Sequence, residues 1–355
     1  LSPTNGAVDV LIVGAGIAGL AAARVLVAEG LDVTVLEARS RVGGRLLSLP
    51  ARGGGLDLGA TWFWPNEPRI ATLIAELGIA THGQFLAGAA MYQDLNGVQR
   101  LDDNPIDVPS GRISAGMQQL ADAVASELPA GSIRLAHSVT LIGLAADHIA
   151  AETPHGRFWG KQLIVAIPPA LASSTIDFVP GLDTETAAVA RRTPVWMGAM
   201  TKVVAQFSSP FWRDRGLAGS AVSHVGPMRE IHDMSGGDGQ PAALFGFVPP
   251  PVVGQRTVTA KEVVEQLVAL FGPDATHPDQ LTIHDWSDES YTSPPGVEQL
   301  DAYELFGHPC YTRPALDGRL HWASTETSLE YPGHVEGALA AAYRAAGAVV
   351  RATRT

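Results

Sequence analysis

An α/β fold with an α+β insertion is what this 355-residue sequence predicts, and three observations carry the prediction. Near the start, the apolar run Asp9-Val10-Leu11-Ile12-Val13 ends in glycines, and a segment with helical spacing, Ile17 to Glu29, follows it. Uninterrupted β-branched runs of strand length suit parallel strands buried on both faces, so this is a β–α–β unit of Rossmann-like type with a right-handed crossover. In the middle of the chain the pattern changes to strand-like pieces at Lys202 to Phe207, Arg229 to Met234 and Ala243 to Val248, which predict antiparallel pairing. Near residue 290 the first pattern resumes. A chain of this length exceeds one ordinary core. The expected architecture is therefore a Rossmann-like domain built from 1–82, 111–191 and 290–355, and a discontinuous mixed-sheet-and-helix domain from 83–110 and 192–289.

The elements follow in order. Gly30 closes the first helix, and Val33 to Glu37 is the second strand. After Pro68, Arg69 to Leu77 reads as a helix ended by Gly78. Residues 83–110 read as irregular, with Gly97, Pro105 and Pro109 as breakers. Ser114 to Leu128 is an amphipathic helix stopped by Pro129, and strand-like pieces follow near Val139, near Ile149 and at Leu163 to Ile167. Gly236-Gly237-Asp238-Gly239 is the turn between two middle strands. Pro249-Pro250-Pro251 is a local stiff turn. Thr259 and Glu262 have capping-box spacing before a helix from Ala260 to Phe271.

Composition narrows the function. Hydrophobic residues make up 46% and charged residues 17%, as in a well-packed globular protein. The formal net charge of −12 argues against a nucleic-acid partner. It is compatible with a cationic substrate, although solubility alone explains an acidic surface. Cys310 is the single cysteine, so neither an intramolecular disulfide nor a multi-cysteine metal site is expected, and no metal is assigned. No run of about 18 apolar residues occurs, so no membrane partner is expected. The chain starts at Leu1 without a signal-type segment, which makes a cytoplasmic location the simpler expectation and leaves open a removed leader.

The chemistry begins at Gly14-Ala15-Gly16-Ile17-Ala18-Gly19. Gly14 permits a tight turn, Gly16 lets backbone approach a pyrophosphate, and Gly19 lets helix and strand pack closely, while the helix N-terminus offers free N–H groups. Glu37 lies 18 residues after Gly19, at the end of the second strand, where its carboxylate can accept hydrogen bonds from ribose hydroxyls. The signature continues without a gap through Arg39, Arg41 and Gly43-Gly44-Arg45. Gly43-Gly44 admits a second approach of backbone to the cofactor and Arg45 can neutralise pyrophosphate charge, which favours FAD over NAD. Arg41 reads as a solvated surface arginine.

The stretch from Val10 to Arg45 resembles the FAD-binding start of the flavin-containing monoamine oxidase family. Asp57-Leu58-Gly59-Ala60-Thr61-Trp62, continuing through Pro65, Asn66, Arg69 and Ile70, is similar to its second flavin motif. Gly318 to Thr327, then Pro332-Gly333-His334-Val335-Glu336-Gly337-Ala338, is similar to its C-terminal motif. The resemblance implies that Gly16, Glu37, Arg39, Gly44 and Arg45 hold adenosine and pyrophosphate. It further implies that Gly59, Ala60, Thr61 and Trp62 pass beside the flavin ring and that the backbone of Val139 meets the adenine. Glu326 falls in the ribityl–phosphate region, hydrogen-bonded to hydroxyls or networked with arginine, and Val335 near the isoalloxazine. Lys202, in Met197-Gly198-Ala199-Met200-Thr201-Lys202-Val203-Val204, matches the family lysine that binds a water beside flavin N5. Strand alternation puts it on a face with Met200 and Val204, so it is expected as a buried ammonium of lowered pKa.

Two departures from the family bear on substrate. His334 stands where one ring of an aromatic cage is expected, and the other belongs to a segment, between Trp286 and Pro294-Pro295-Gly296, that is shortened here; Tyr291 is the candidate replacement. Cys310 falls after that segment and reads as ordinary packing, so FAD is expected to be non-covalent. The stretch between Trp62 and Val139 is also short, which implies a more open pocket, or one closed by a second subunit of a homodimer. The expected activity is oxidation of a C–N bond in a primary or secondary amine, with O2 as acceptor and H2O2 as product. Lys202 is the catalytic candidate, and Trp62, Tyr291, His334 and Trp286 shape the pocket. An amino-acid oxidase, using Arg69, Arg112 or Arg229 for a substrate carboxylate, or a flavin desaturase remains an alternative. So does a non-redox isomerase or a non-catalytic flavin-binding protein.

Overall fold

The computed structural model describes residues 6–250 and 258–354, so Pro251 of the triple-proline turn lies outside the described residues. Strand β1 (Val8–Val13) runs into helix α1 (Ile17–Ala28), and strand β2 (Val33–Leu36) returns parallel beside β1. β1 pairs on its other side with the parallel strand Gly156–Val165, which extends outward through the antiparallel strands His148–Thr153 and Leu141–Ala145. Ile133–Arg134, Asp177–Val179 and Leu320–Trp322 complete an eight-stranded sheet. β1 and β2 are apolar because both faces are covered: Val10, Ile12, Val33 and Val35 face one core, Leu11, Val13 and Leu36 the other.

On the first face, α1 packs against the last helix, Val335–Thr353. Both contact surfaces are rich in alanine, including Ala18, Ala21, Ala22, Ala338, Ala342 and Ala345, which lets the two helices approach closely. Among the described residues, no helix is long and apolar enough to cross a membrane.

The second sheet has seven strands in the order Gln280–Asp285, Thr201–Phe207, Ala242–Val248, Glu230–Asp233, Leu217–Ser223, Ala89–Asp94, Gly97–Arg100. The turn at Gly236–Gly239 is present, held by Gly236 N–H to Pro241 O at 3.0 Å and Gly239 N–H to Gly236 O at 2.9 Å. The capping box also forms: Thr259 Oγ1 accepts from Glu262 N at 3.3 Å, and Glu262 Oε2 accepts from Thr259 N at 3.0 Å. The helix Ala260–Phe271 covers this sheet with Val263, Leu267 and Leu270.

Two expectations are corrected here. Residues 83–110 are not irregular: Ala89–Asp94 and Gly97–Arg100 form a hairpin that extends the second sheet. Its outer strand is exposed along its whole length, so no buried face imposes an alternating pattern. The helix expected from Ser114 spans Gln118–Ser126, because Gly111–Ile113 is a strand and the Asp57 carboxylate takes the Met117 N–H at 2.7 Å. The strand expected near Val139 is Leu141–Ala145.

Candidate active site

A cavity of about 740 Å³ runs from the β1–α1 turn to the face of the second sheet. At one end the glycines divide the work. Gly14 has φ +100°, and a Cβ there would meet Ile167 Cγ2 at 2.7 Å. A Cβ on Gly19 would meet Gly14 O at 1.9 Å, so that position is reserved for the close approach of helix and turn. Gly16 differs: a Cβ there meets no protein atom within 4 Å, and the residue lines the cavity. Gly16 is also the N-cap of α1, where no side chain caps the first-turn N–H groups. Gly43 N–H donates to Ala15 O at 2.8 Å, laying the Gly43-Gly44-Arg45 loop against the same turn. Two backbone segments thus flank a space bordered by free donors and Arg45, a cradle that fits the pyrophosphate of FAD.

Glu37 is buried at the end of β2, where Oε2 accepts from Ala15 N at 2.7 Å and Oε1 from Arg39 N at 2.8 Å. Its carboxylate therefore braces two turns as well as facing the cavity, and each oxygen keeps a lone pair for a ribose hydroxyl. His137 N–H donates to Glu37 O at 2.8 Å, which brings Val139 to the cavity wall beside it. Val335 closes the wall from the start of the last helix.

The sequence placed several side chains differently. Arg41 is not solvated; its guanidinium donates to Gly44 O at 2.9 Å and Val42 O at 3.1 Å and ties the loop to itself. Glu326 is buried with its oxygens given to protein: Arg45 at 2.6 and 3.1 Å, and Trp196 N at 3.2 Å. Of the two roles open to it, the arginine network is the one formed, with Ser324 and Thr325 on the cavity side instead. Removing it leaves Arg45 without its counter-charge. Glu326→Ala is expected to lower unfolding stability by about 3 kcal/mol, read by urea titration of the apoprotein; an unchanged midpoint refutes the pairing. Tyr291 lines the cavity as expected but is held beside Arg39, whose Nη1 donates to Tyr291 O at 3.1 Å and whose guanidinium lies 5.7 Å from the ring. Trp62 has other ring partners, namely Trp64, His232, Phe245 and Phe247.

At the other end of the cavity, strand pairing aligns Glu230, Phe247, Lys202 and His284 as one cross-strand row. Three of these line the cavity: Glu230, Phe247 and Lys202. Lys202 is 2% exposed, and Nζ donates to Gly59 O at 2.8 Å and Thr61 Oγ1 at 2.5 Å. Its ammonium sits 4.4 Å from the Phe245 ring centroid. Burial depresses its pKa from 10.5 to about 7; Asp57 opposes the shift and Arg112 adds to it. The Lys202 ammonium is thus bonded to the segment Gly59–Thr61 that lines the cavity next to the glycine cradle. A Cβ on Gly59 would lie 1.8 Å from Arg45 O, so that segment too depends on a glycine.

Trp62 and Trp286 are fixed by their indole N–H groups, to Gln84 Oε1 at 2.8 Å and Leu58 O at 2.9 Å. His334 lines the cavity with its ring 4.9 Å from that of Trp64. Trp64, Phe247 and Glu230 complete this end of the wall and were missed in the sequence. Trp64 was legible as a second tryptophan two residues after Trp62; Phe247 and Glu230 needed the strand register. Of the three arginines considered for a substrate carboxylate, only Arg229 lines the cavity. Arg69 is taken by Glu336 and Glu330, and the buried Arg112 donates to Ser235 O at 3.0 Å. Glu230 beside Arg229 is held below the usual carboxylate range by the His232 ring, whose Nε2 lies 3.8 Å from its carboxylate, which keeps a negative charge on this wall.

The chain is similar to flavin-dependent amine oxidases in sequence and in fold. The family model for flavin containing amine oxidoreductase matches residues 17–111 and 87–350. The chain is 26% identical to the putrescine oxidase of Kocuria rosea, covering 97% of this chain and 95% of that protein. It is 25% identical to the flavin-containing amine oxidase A of Equus caballus, covering 97% of this chain and 85% of that protein. The Kocuria alignment runs over 461 positions, more than this chain contains, so the chain carries internal gaps against it. Among solved structures, putrescine oxidase bound to putrescine superposes with a TM-score of 0.84 at 21% identity, covering 98% of this chain and 99% of that one. Cyclohexylamine oxidase from Brevibacterium oxydans gives 0.84 at 20% identity, covering 99% of this chain and 100% of that one. At these identities the structures speak for the fold.

Proposed function

Because the chain belongs to the flavin containing amine oxidoreductase family and is an FAD-dependent amine oxidase by its relatives, we propose that its own cavity oxidises a primary or secondary amine with O2 as acceptor. Bound FAD would supply the redox chemistry, accepting a hydride equivalent from the carbon beside nitrogen and passing two electrons to O2, which with two protons gives H2O2. The protein supplies orientation and charge. The observation that carries the reading is Lys202, a buried ammonium bonded to Gly59 and Thr61 beside the cofactor cradle. In this reading Lys202 positions a water for the flavin edge and aids its reoxidation.

Trp62, Trp64, Phe247 and His334 form the wall over which the amine lies. Glu230 favours a cationic or amine-bearing substrate over a carboxylate-bearing one, which supports an amine rather than an amino acid. Non-covalent attachment of FAD is supported by Cys310, which packs among Tyr311, Leu320 and Trp322 away from the cavity lining. Segments 1–82, 111–191 and 290–355 are assigned to the cofactor and 83–110 and 192–289 to the substrate. In this reading the protein acts in the cytoplasm as a homodimer.

Anaerobic mixing with a panel of primary and secondary amines tests the activity. Bleaching of the flavin absorbance is expected, followed by recovery and peroxide formation on admitting air. No bleaching by any amine or amino acid would sink the proposal, and bleaching without peroxide would remove oxygen as acceptor. Trichloroacetic acid precipitation is expected to release all the FAD into the supernatant; yellow colour retained in the pellet would overturn the non-covalent assignment.

A further inference from the structure

His334 is not a simple stand-in for an aromatic ring, because it comes with a buried carboxylate. Glu67 is 2% exposed at the turn before helix Pro68–Glu76, and its two oxygens are both used as acceptors. Oε2 accepts from Trp64 N at 2.9 Å, and Oε1 lies 2.5 Å from His334 Nδ1. A carboxylate only accepts, so Nδ1 carries the proton and donates it to Glu67. That fixes the tautomer: in the neutral ring, the lone pair is on Nε2. Among the described residues Nε2 has no hydrogen-bond partner, and the side chain, 34% exposed, lines the cavity.

Two polar groups beside the ring are committed, while Arg229 and Glu230 line the cavity from the second sheet. Tyr331, with its ring 6.3 Å away, donates its hydroxyl proton to Asn66 O, and Arg69 is held by Glu336 and Glu330. Lys202 stands on the second sheet, bonded to Gly59 and Thr61.

Oxidation at the carbon beside nitrogen needs the nitrogen lone pair, yet an aliphatic amine in neutral water is almost entirely ammonium. Resting on the amine-oxidase reading above, we infer that the Glu67–His334 pair is the base that deprotonates the bound ammonium, so that this enzyme takes its substrate in the protonated form. The N–H bond of R–NH3+ breaks, Nε2–H forms, and the electron pair stays on nitrogen as the free amine. Glu67 stabilises the imidazolium, in the way a buried carboxylate supports a histidine base elsewhere. The free amine so formed is the form that the parent reaction would oxidise. Nε2, on a side chain 34% exposed, returns its proton to solvent after the imine departs. The proton remains on the pair during C–H cleavage, which gives the step a pH signature.

The test compares wild type, His334→Phe and Glu67→Gln holoenzymes. The first readout is the pH profile of kcat/KM for an amine that bleaches the flavin. The second is binding of tert-butylamine, which has no hydrogen on the carbon beside nitrogen, followed by perturbation of the flavin spectrum. Wild type is expected to be flat in both across about two pH units below the amine's own pKa. His334→Phe is expected to fall about tenfold per pH unit over that range, tracking the free base, with its deficit closing towards the amine's pKa. Glu67→Gln is expected to show the same slope with the histidine in place, which separates a proton effect from lost packing if His334→Phe does not fold. Superimposable profiles for wild type and Glu67→Gln overturn the inference, as does a wild-type profile that already rises tenfold per unit. A wild type that no amine bleaches instead refutes the parent activity and the inference with it, whereas bleaching with unchanged profiles refutes the inference alone.

Discussion

Lys202→Met is expected to keep its FAD and to lose turnover in air by about 100-fold or more, the scale of removing one positioned proton-handling group. Methionine matches the length of the lysine stem and suits the apolar wall of Phe245 and Phe247. What disappears is the donor bonded to Gly59 O and Thr61 Oγ1 and the charge at the cavity edge. The same variant carries a stability signature whose sign follows from linkage. Lys202 titrates near 10.5 when unfolded and about 7 when folded, because burial disfavours the ammonium. Between these values the unfolded chain holds more protons, so wild-type stability rises with pH across that window. Below about pH 7 the full cost of burying the charge is present, on the order of several kcal/mol. The methionine variant lacks the ionisation, so its melting temperature is expected to rise less between about pH 7 and pH 10. Steady-state oxygen consumption and thermal melts across pH check both. A variant that binds FAD and reoxidises as fast as wild type removes Lys202 from the mechanism.

That lysine was legible in the sequence because two signals coincided, a position facing inward on an alternating strand and a family motif around it. The cofactor glycines were legible for a stronger reason: backbone approach and positive φ impose glycine whatever surrounds it, as at Gly14 and Gly19. Side chains whose partners lie far along the chain were not. Glu326 meets Arg45 across 281 positions, and Tyr291 meets Arg39 across 252. Local sequence says nothing about which of several oxygens or rings such an arginine will select.

The second sheet shows a different limit. Leu217–Ser223 is buried along most of its length, yet it reads Leu-Ala-Gly-Ser-Ala-Val-Ser, too small and mixed to display alternation. Gln280–Asp285 is an edge strand, half-buried or exposed, and edge positions tolerate polar residues on either face. The row of Glu230, Phe247 and Lys202 lies on three strands that the sequence does predict, and what it lacked was the register between them. Phe247 and Glu230 therefore emerged only from register, whereas Trp62, His334 and the cofactor cradle came from motif and spacing.

Gly16→Val is expected to leave a folded apoprotein that binds no FAD, and the contrast with Gly19 makes this a test of what the glycine is for. Gly16 has an ordinary extended backbone, φ −69° and ψ 173°, so valine adopts it without strain. Its Cβ would meet no protein atom within 4 Å, so no packing is disturbed. The change in apoprotein stability is expected to stay within about 1 kcal/mol, mostly from a poorer residue at the helix N-cap. The branched side chain would, however, occupy the space between the α1 N-terminus and the Gly43-Gly44 loop, where the pyrophosphate must come close to backbone. Gly19→Ala should behave in the opposite way. Its Cβ, 1.9 Å from Gly14 O, forces the helix off the turn, so the apoprotein itself is destabilised by roughly 3 kcal/mol or more. Flavin absorbance per protein and urea denaturation of the apoproteins separate the two cases. If Gly16→Val is purified with a full complement of FAD, the space beside Gly16 is not where the cofactor's phosphates run. If it unfolds as readily as Gly19→Ala, the glycine is structural, and the cradle must be redrawn around Gly44 and Arg45.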